Sequence, residues 1–489
     1  MRSCRGAAGS VRLSSARNKQ QGGHVIGNGD VAFSFGPGQM FRSYSYHFYE
    51  MAHAALVPAR AATDAAHFLF RNPWNPLANT ILGKNISAGA ELFERMTRRY
   101  GKPTFGLGEI KVDGVAYQVL EDVVWSRPFC NLLHFVRPDL PGAEAQPKLL
   151  IAAPMSGHYA TLLRGTVEAF LPHCDVYITD WADARMVPLA AGVFDLDDYI
   201  EYIEEILHCL GPGVHALAVC QPSVPLIAAV ALMEASGDPD TPAGITLMGG
   251  PIDTRRSPTV VNRLAEKRGV EWFRRNCLHT VPFPYPGFGR EVYPGFLQLS
   301  GFMAMNLDRH VNAHLEMFNH LVSGDGDSAE KHRDFYDEYL AVMDLDAAYY
   351  MQTLETVFVR HALPKGEMTH RGRKVDLAAI RRCGLMTIEG EKDDISGVGQ
   401  TAAAQELCFN IPEAKKLHHL QLGVGHYGVF NGSRFCKEIT PRMLAFMVTI
   451  DALAKVRKPN GARKPKVAAP VLVEAGERPP LAPAALAVV

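Results

Sequence analysis

Four short apolar runs, separated by helical patterns, limit this chain more than any other feature. They are KLLIAAP at 148–154, DVYITDW at 175–181, VHALAV at 214–219 and GITLMGG at 244–250. Each is a short, largely apolar run, which predicts strands buried on both faces. The segment LDDYIEYIEEILHCLG at 196–211 spaces its apolar residues near 3.6 and ends on Gly211, which predicts a helix. Residues 222–236 predict another, with Pro222 suited to its first turn. Alternation of this kind requires a parallel sheet covered by helices. The strand signal returns at GLMTIEGE, 384–391, and KLHHLQL, 416–422, and a helix from about 434 to 455 closes the domain. Between the fourth and fifth of these strands lies a helical, aromatic stretch, 251–376. An insertion there sits over the carboxyl ends of the strands, where open α/β sheets bind ligands, so it reads as a cap.

The core is therefore expected at 106–250 and 377–456, with the cap between. A chain of 489 residues has room for this and for an aromatic, Ala-rich helical segment at 40–105 lying on the main domain. Residues 1–39 and 457–489 are expected to be disordered: the first is rich in Arg and Ser, the second in Pro, Ala and Lys. The start lacks the apolar h-region of a secretory signal, and no apolar run reaches the ~18 residues of a membrane span. A net charge of −1 gives no pull toward nucleic acid. Nine cysteines, an odd number with no C-x-x-C pair, argue against a disulfide framework and a thiolate zinc site. Reduced thiols in a cytoplasm fit best.

One of those thiols stands apart. Cys220 falls between the strand VHALAV and the helix that follows, where backbone N–H groups and the helix dipole favour a thiolate. Most cysteines in apolar surroundings are core filler, but two downstream residues change the reading. Asp393 and Asp394 follow a strand in TIEGEKDDISG, and His426 follows the next strand in QLGVGHYGVFNG, 33 positions after Asp393. Nucleophile, then acid, then histidine, each at a strand end, is the chain order of the α/β-hydrolase fold. The fold class is accordingly α/β, an α/β-hydrolase core with a largely helical cap between core strands and a helical N-terminal segment. The expected roles are Cys220 as nucleophile, His426 as base and Asp393 as the acid that orients it; Asp393 is preferred to Asp394 because it lies closer to the strand end. The oxyanion donors are expected from the backbone of Gln221 and of Met155 or Ser156, in PMSGHYATLLRG. His158 in that loop, and Arg164 beyond it, are candidates to touch substrate. No metal and no organic cofactor are required.

With these residues assembled, the sequence resembles the intracellular poly(3-hydroxybutyrate) depolymerases, cysteine-nucleophile relatives of the polyhydroxyalkanoate synthases. The resemblance is carried by IAAPMSGHYATLLRGTVEAFLPHCDVYITDWADARMVPLAAGVFDLDDYIEYI, ALAVCQPSVPLIAAVALM, LMGGPIDTRRSPT, TIEGEKDDISGVGQT and GVGHYGVFNGSRF, over roughly residues 100–455. The family's thiol, acid and base fall on Cys220, Asp393 and His426. The elbow departs from G-x-C-x-G: Ala218 and Pro222 stand in place of the glycines, a form that looks like this family rather than a general lipase. The resemblance implies hydrolysis of a storage polyester in the cytoplasm, with the polymer or its granule surface as partner. It also implies that cap aromatics such as Trp272, Phe273, Phe283, Tyr285, Phe288, Tyr293 and Phe296 guide the polyester; Trp272, Phe283 and Tyr285 join His158 as the substrate-binding candidates. A synthase or CoA-dependent acyltransferase with the same triad, and a non-catalytic granule-binding protein, are the alternatives.

Overall fold

Each predicted run becomes a strand of one eight-stranded sheet. The computed structural model describes residues 37–456. The expected extensions therefore lie outside the described residues, except that 37–39 begin the helix Pro37–Ala55. The strands are β1 (Leu120–Arg127), β2 (Cys130–Val136), β3 (Lys148–Ala152), β4 (Asp175–Trp181), β5 (His215–Val219), β6 (Gly244–Met248), β7 (Gly384–Gly390) and β8 (Lys416–Gln421). Their order across the sheet is 1-2-4-3-5-6-7-8, with β2 antiparallel to β1 and β4 and the rest parallel. This is the α/β-hydrolase fold. The antiparallel pair β1–β2 has no counterpart in the sequence reading. The reason is physical: β1 is an edge strand with no buried residue, so it carries no apolar pattern to detect.

Crossover helices bring the parallel strands side by side. Asp195 caps the helix Leu196–Leu210 in a reciprocal pair: its side chain accepts from Asp198 N and its own N–H donates to the Asp198 carboxylate, both at 2.8 Å. In the helix Ser223–Ser236, every residue from Ser223 to Met233 is buried, so it fills the centre of the molecule. Pro222 occupies the N-cap position, one residue ahead of the first turn.

The chain leaves the sheet after β6 and returns at β7. Between them lie the helices Val260–Arg268, Val270–Cys277, Gly295–Met305, Leu307–Ser323, Gly326–Tyr339 and Ala347–Thr353, with a small antiparallel sheet of three short strands. Arg290 ties this cap to the core. Its guanidinium pairs with Asp346 at 2.7 Å and donates to the carbonyls of Val187, Pro188 and Gly192 in the loop after β4. Both charged groups are buried. The N-terminal helices make their ion pairs with the cap rather than the sheet: Arg95 and Arg98 meet Asp337 at 2.6 and 2.7 Å, and Glu91 meets Arg333 at 2.6 Å. Tyr46 donates to the buried Asp344 at 2.6 Å, and Tyr49 stacks on Phe296. None of the helices among the described residues is long and apolar enough to cross a membrane.

Two consequences are testable. Replacing Arg290 with Ala strands the Asp346 carboxylate in the interior, so stability should fall by roughly 3–5 kcal/mol in chemical denaturation. Second, burial pushes His158 and His332 down to about 4, the latter helped by His314 and Arg95. Both are neutral in the fold. The stability this confers is complete above the ordinary histidine value of ~6.5 and is lost as pH falls toward 4. Melting temperature measured between pH 7 and 4 should drop, and His332→Gln should flatten part of that drop.

Candidate active site

Cys220 occupies the turn between β5 and the helix that begins at Ser223, with a φ of +66°. A non-glycine residue held there costs about 1–3 kcal/mol and persists only when its surroundings enforce it. Here they do: Cys220 N donates to Met248 O on β6 at 2.7 Å, and Cys220 O accepts from Ser223 N at 3.1 Å. This is the sharp strand-to-helix elbow that lifts a nucleophile above the sheet. The glycines missing from the elbow itself are found on the neighbouring strand end. A Cβ on Gly250 would lie 2.3 Å from Ser223 Cβ and 3.0 Å from Cys220 O. One on Gly249, at φ +58°, would lie 3.2 Å from His426 Cε1 and 3.5 Å from Asp393 Oδ2. The sequence reading passed over this pair, although GG directly after a buried strand is the signal of close backbone approach.

His426 follows β8 and Asp393 follows β7. Their side chains meet at 2.8 Å, His426 Nδ1 to Asp393 Oδ2, and both are buried. Cys220 and His426 line the same cavity. The other carboxylate oxygen of Asp393 accepts from the N–H groups of Ile395 and Ser396 at 2.9 and 2.8 Å, which fixes its orientation. Asp394 turns away and accepts from Asn306 Nδ2 in the cap at 2.8 Å. Burial by itself lowers the pKa of His426, but the Asp393 carboxylate and Cys220 outweigh it and hold the imidazole well above its ordinary range. A further residue, unmarked by the sequence reading, supports the acid. The buried Glu389 on β7 accepts from Thr401 N, Ala402 N and Gly399 N at 2.8–2.9 Å. Thr401 in turn bonds the backbone of Gly250 in both directions. A lone carboxylate inside the otherwise apolar GLMTIEG strand was the available clue.

The thiol opens into a cavity of about 310 Å³, lined mainly by apolar side chains of the cap. Met155, Ser156 and Gln221 line it beside Cys220. Among the described residues, no acceptor takes the backbone N–H of Met155 or Gln221. Both are free for an oxyanion, though the structure holds none. His158 lines the cavity too, but its Nε2 donates to Tyr339 O at 3.1 Å, so the ring ties the loop to the cap. Three of the four candidate substrate contacts, Trp272, Phe283 and Tyr285, do not line the cavity. Trp272 packs against Phe273 and under Arg268. Phe283 is 77% exposed on the surface. Tyr285 is engaged by Arg99 at 2.6 Å. Phe288 and Phe296 are also elsewhere, whereas Phe273 and Tyr293 do line the cavity, as do the unforeseen Phe302, Tyr350 and Tyr427. Arg164 is spent on the carbonyl of Phe105 and the carboxylate of Glu338. Among the described residues, one cluster has metal-ligand spacing, His208, Asp238 and Asp240. It belongs to the segments around the ends of two crossover helices, and none of its members lines this cavity.

Fold and site together define an α/β-hydrolase with a thiol at the elbow. Residues 249–451 match the family model described as PHB de-polymerase C-terminus. Over that segment the chain is similar to the PHB depolymerase family. The matched segment takes in the cap, Asp393 and His426, and begins after Cys220. No curated protein matches the chain. Solved structures resemble it only distantly. A thermophilic esterase from Thermogutta terrifontis is 12% identical, with a TM-score of 0.35, covering 70% of this chain and 98% of its own. A monoacylglycerol lipase from Paleococcus ferrophilus is 12% identical, with a TM-score of 0.36, covering 62% and 96%. At these scores the likeness adds nothing to the topology already described.

The electrostatics make a prediction. In nitrogen-15 NMR, His426 should remain protonated at pH values where an ordinary histidine is neutral. In Asp393→Asn it should lose that proton much earlier, since burial then acts with less opposition; Asp394→Asn should leave it unchanged. The sign for stability follows: a raised folded value stabilises fully below ~6.5 and is lost as pH rises through it.

Proposed function

We propose that this chain is a cysteine-dependent ester hydrolase that depolymerises poly(3-hydroxybutyrate) held in cytoplasmic granules. The observation that carries the reading is Cys220 in a left-handed elbow, sharing its cavity with a histidine that is bonded to a buried aspartate. The sulfur attacks an ester carbonyl while His426 holds the thiol proton. Charge that develops on the carbonyl oxygen is met by the N–H groups of Gln221 and of Met155 or Ser156. As the C–O bond breaks, His426 gives its proton to the departing alcohol, leaving a thioester on Cys220. Water, deprotonated by His426, attacks the thioester, and the acid product and the free thiol result. Asp393 stabilises the imidazolium at both stages.

The substrate class is supported by the apolar, aromatic cavity and by the match to the depolymerase family model over 249–451. Association with an insoluble polymer is supported by the outer N-terminal helices. The helix Val57–Arg71 buries none of its residues, and Phe48, Phe68, Trp74 and Ile81 are each more than 70% exposed. Apolar surface on that scale suits contact with an apolar phase.

Release of soluble 3-hydroxybutyrate from amorphous granules tests the proposal. The wild type should release it, and Cys220→Ala, folded, should fall by ~10⁴-fold or more. Equal release from both would remove Cys220 from the mechanism. Failure to release acid, together with CoA release from a 3-hydroxyacyl-CoA, would make the chain an acyltransferase instead.

A further inference from the structure

The expected oxyanion donors sit in two loops of the core, yet both loops are gripped by the cap. On one side, Met343 N donates to Gly157 O at 2.7 Å, His158 pairs with Val342 in an isolated bridge, and His158 Nε2 bonds Tyr339 O at 3.1 Å. These contacts hold the loop that carries Met155 and Ser156. On the other side, Tyr349 of the cap reaches the elbow. Its hydroxyl donates to Gln221 Oε1 at 2.5 Å.

Tyr349 is well placed for this. It lies in the first turn of the helix Ala347–Thr353, whose N-cap is Asp346, the partner of Arg290. Its side chain is 1% exposed, and its ring packs on those of Tyr199 and Phe194 at centroid distances of 5.7 and 5.8 Å. Burial keeps its hydroxyl protonated and therefore a donor. Gln221 is only half-buried and follows a residue in a strained conformation. Its amide N–H points usefully only if the peptide joining it to Cys220 is held against rotation. Fixing the far end of the Gln221 side chain restricts that rotation.

Resting on the ester-hydrolase reading above, we infer that Tyr349 is a positioning residue that aims the Gln221 N–H at the oxyanion, making the cap part of the catalytic geometry. The substrate need not touch it. Losing an oxyanion donor outright costs roughly 10²–10³ in kcat; losing its alignment should cost less, roughly tenfold.

Kinetics on soluble 3-hydroxybutyrate oligomers test this with Tyr349→Phe, which keeps the ring, and Gln221→Met, which keeps the length and the backbone N–H but removes the carbonyl acceptor. Each should lower kcat roughly tenfold with KM within about twofold, and the double variant should be no worse than either. A purely structural tyrosine would give independent losses that multiply in the double variant, and that result would overturn the inference. So would wild-type kcat in Tyr349→Phe, or a loss confined to KM. If Tyr349→Phe does not fold, Gln221→Met decides alone, and an unchanged kcat sinks the idea. Cys220→Ala measured alongside separates the two levels: activity in that variant defeats the thiol mechanism, whereas inactivity there with wild-type kcat in Tyr349→Phe defeats only the positioning role.

Discussion

Everything at the site depends on one backbone torsion. With φ at +66°, Cys220 turns the chain from β5 into a helix within three residues and puts its sulfur on the cavity side. A side chain in that conformation is strained, so neighbouring structure must pay for it. Met248 supplies an acceptor for its N–H, and the two glycines after β6 leave space that a single methyl group would close. Gly249 makes the same allowance for His426 and Asp393. Elbow, acid and base thus crowd around one pair of glycines, and Glu389 pins the acid's loop to that pair through Thr401.

The order of the sheet converts these local demands into a common site. β5, β6 and β7 are adjacent and parallel, with β8 next to β7, so their carboxyl ends present Cys220, Gly249, Asp393 and His426 at one edge of the sheet. The cap then covers that edge with aromatic and aliphatic side chains. In such a low-dielectric setting the Asp393–His426 pair is stronger than it would be in water, which holds the imidazole above its ordinary range despite burial.

What could be read from the sequence follows from which signals are local. The inner parallel strands β3, β5, β6 and β7 were legible because burial on both faces writes a largely apolar run. Cys220, Asp393 and His426 were legible as candidates because each follows a predicted strand; Asp393 bonds His426, and Asp394 bonds Asn306. β1 was illegible because an exposed edge strand needs no pattern. The aromatic residues of the cavity were not legible for a related reason. Trp272, Phe283 and Tyr285 have the composition of a binding wall, but whether a side chain faces the cavity, a neighbouring helix or solvent is decided by cap packing that no short window encodes. Glu389 and Gly250 were overlooked since their partners lie in distant segments.

The cap also sets the order in which this protein can assemble. Arg290 finds its carbonyl partners 98 to 103 positions upstream, and β7 reaches β6 only across the whole inserted cap. Contacts of such long range close late, because the entropy of the intervening loop must be met before they give anything back. The elbow, built from β5, β6 and a local helix, has no such delay. During synthesis Cys220 is therefore made before the strands that carry Asp393 and His426 exist, and the cavity it opens into can close only once nearly the whole chain has been made.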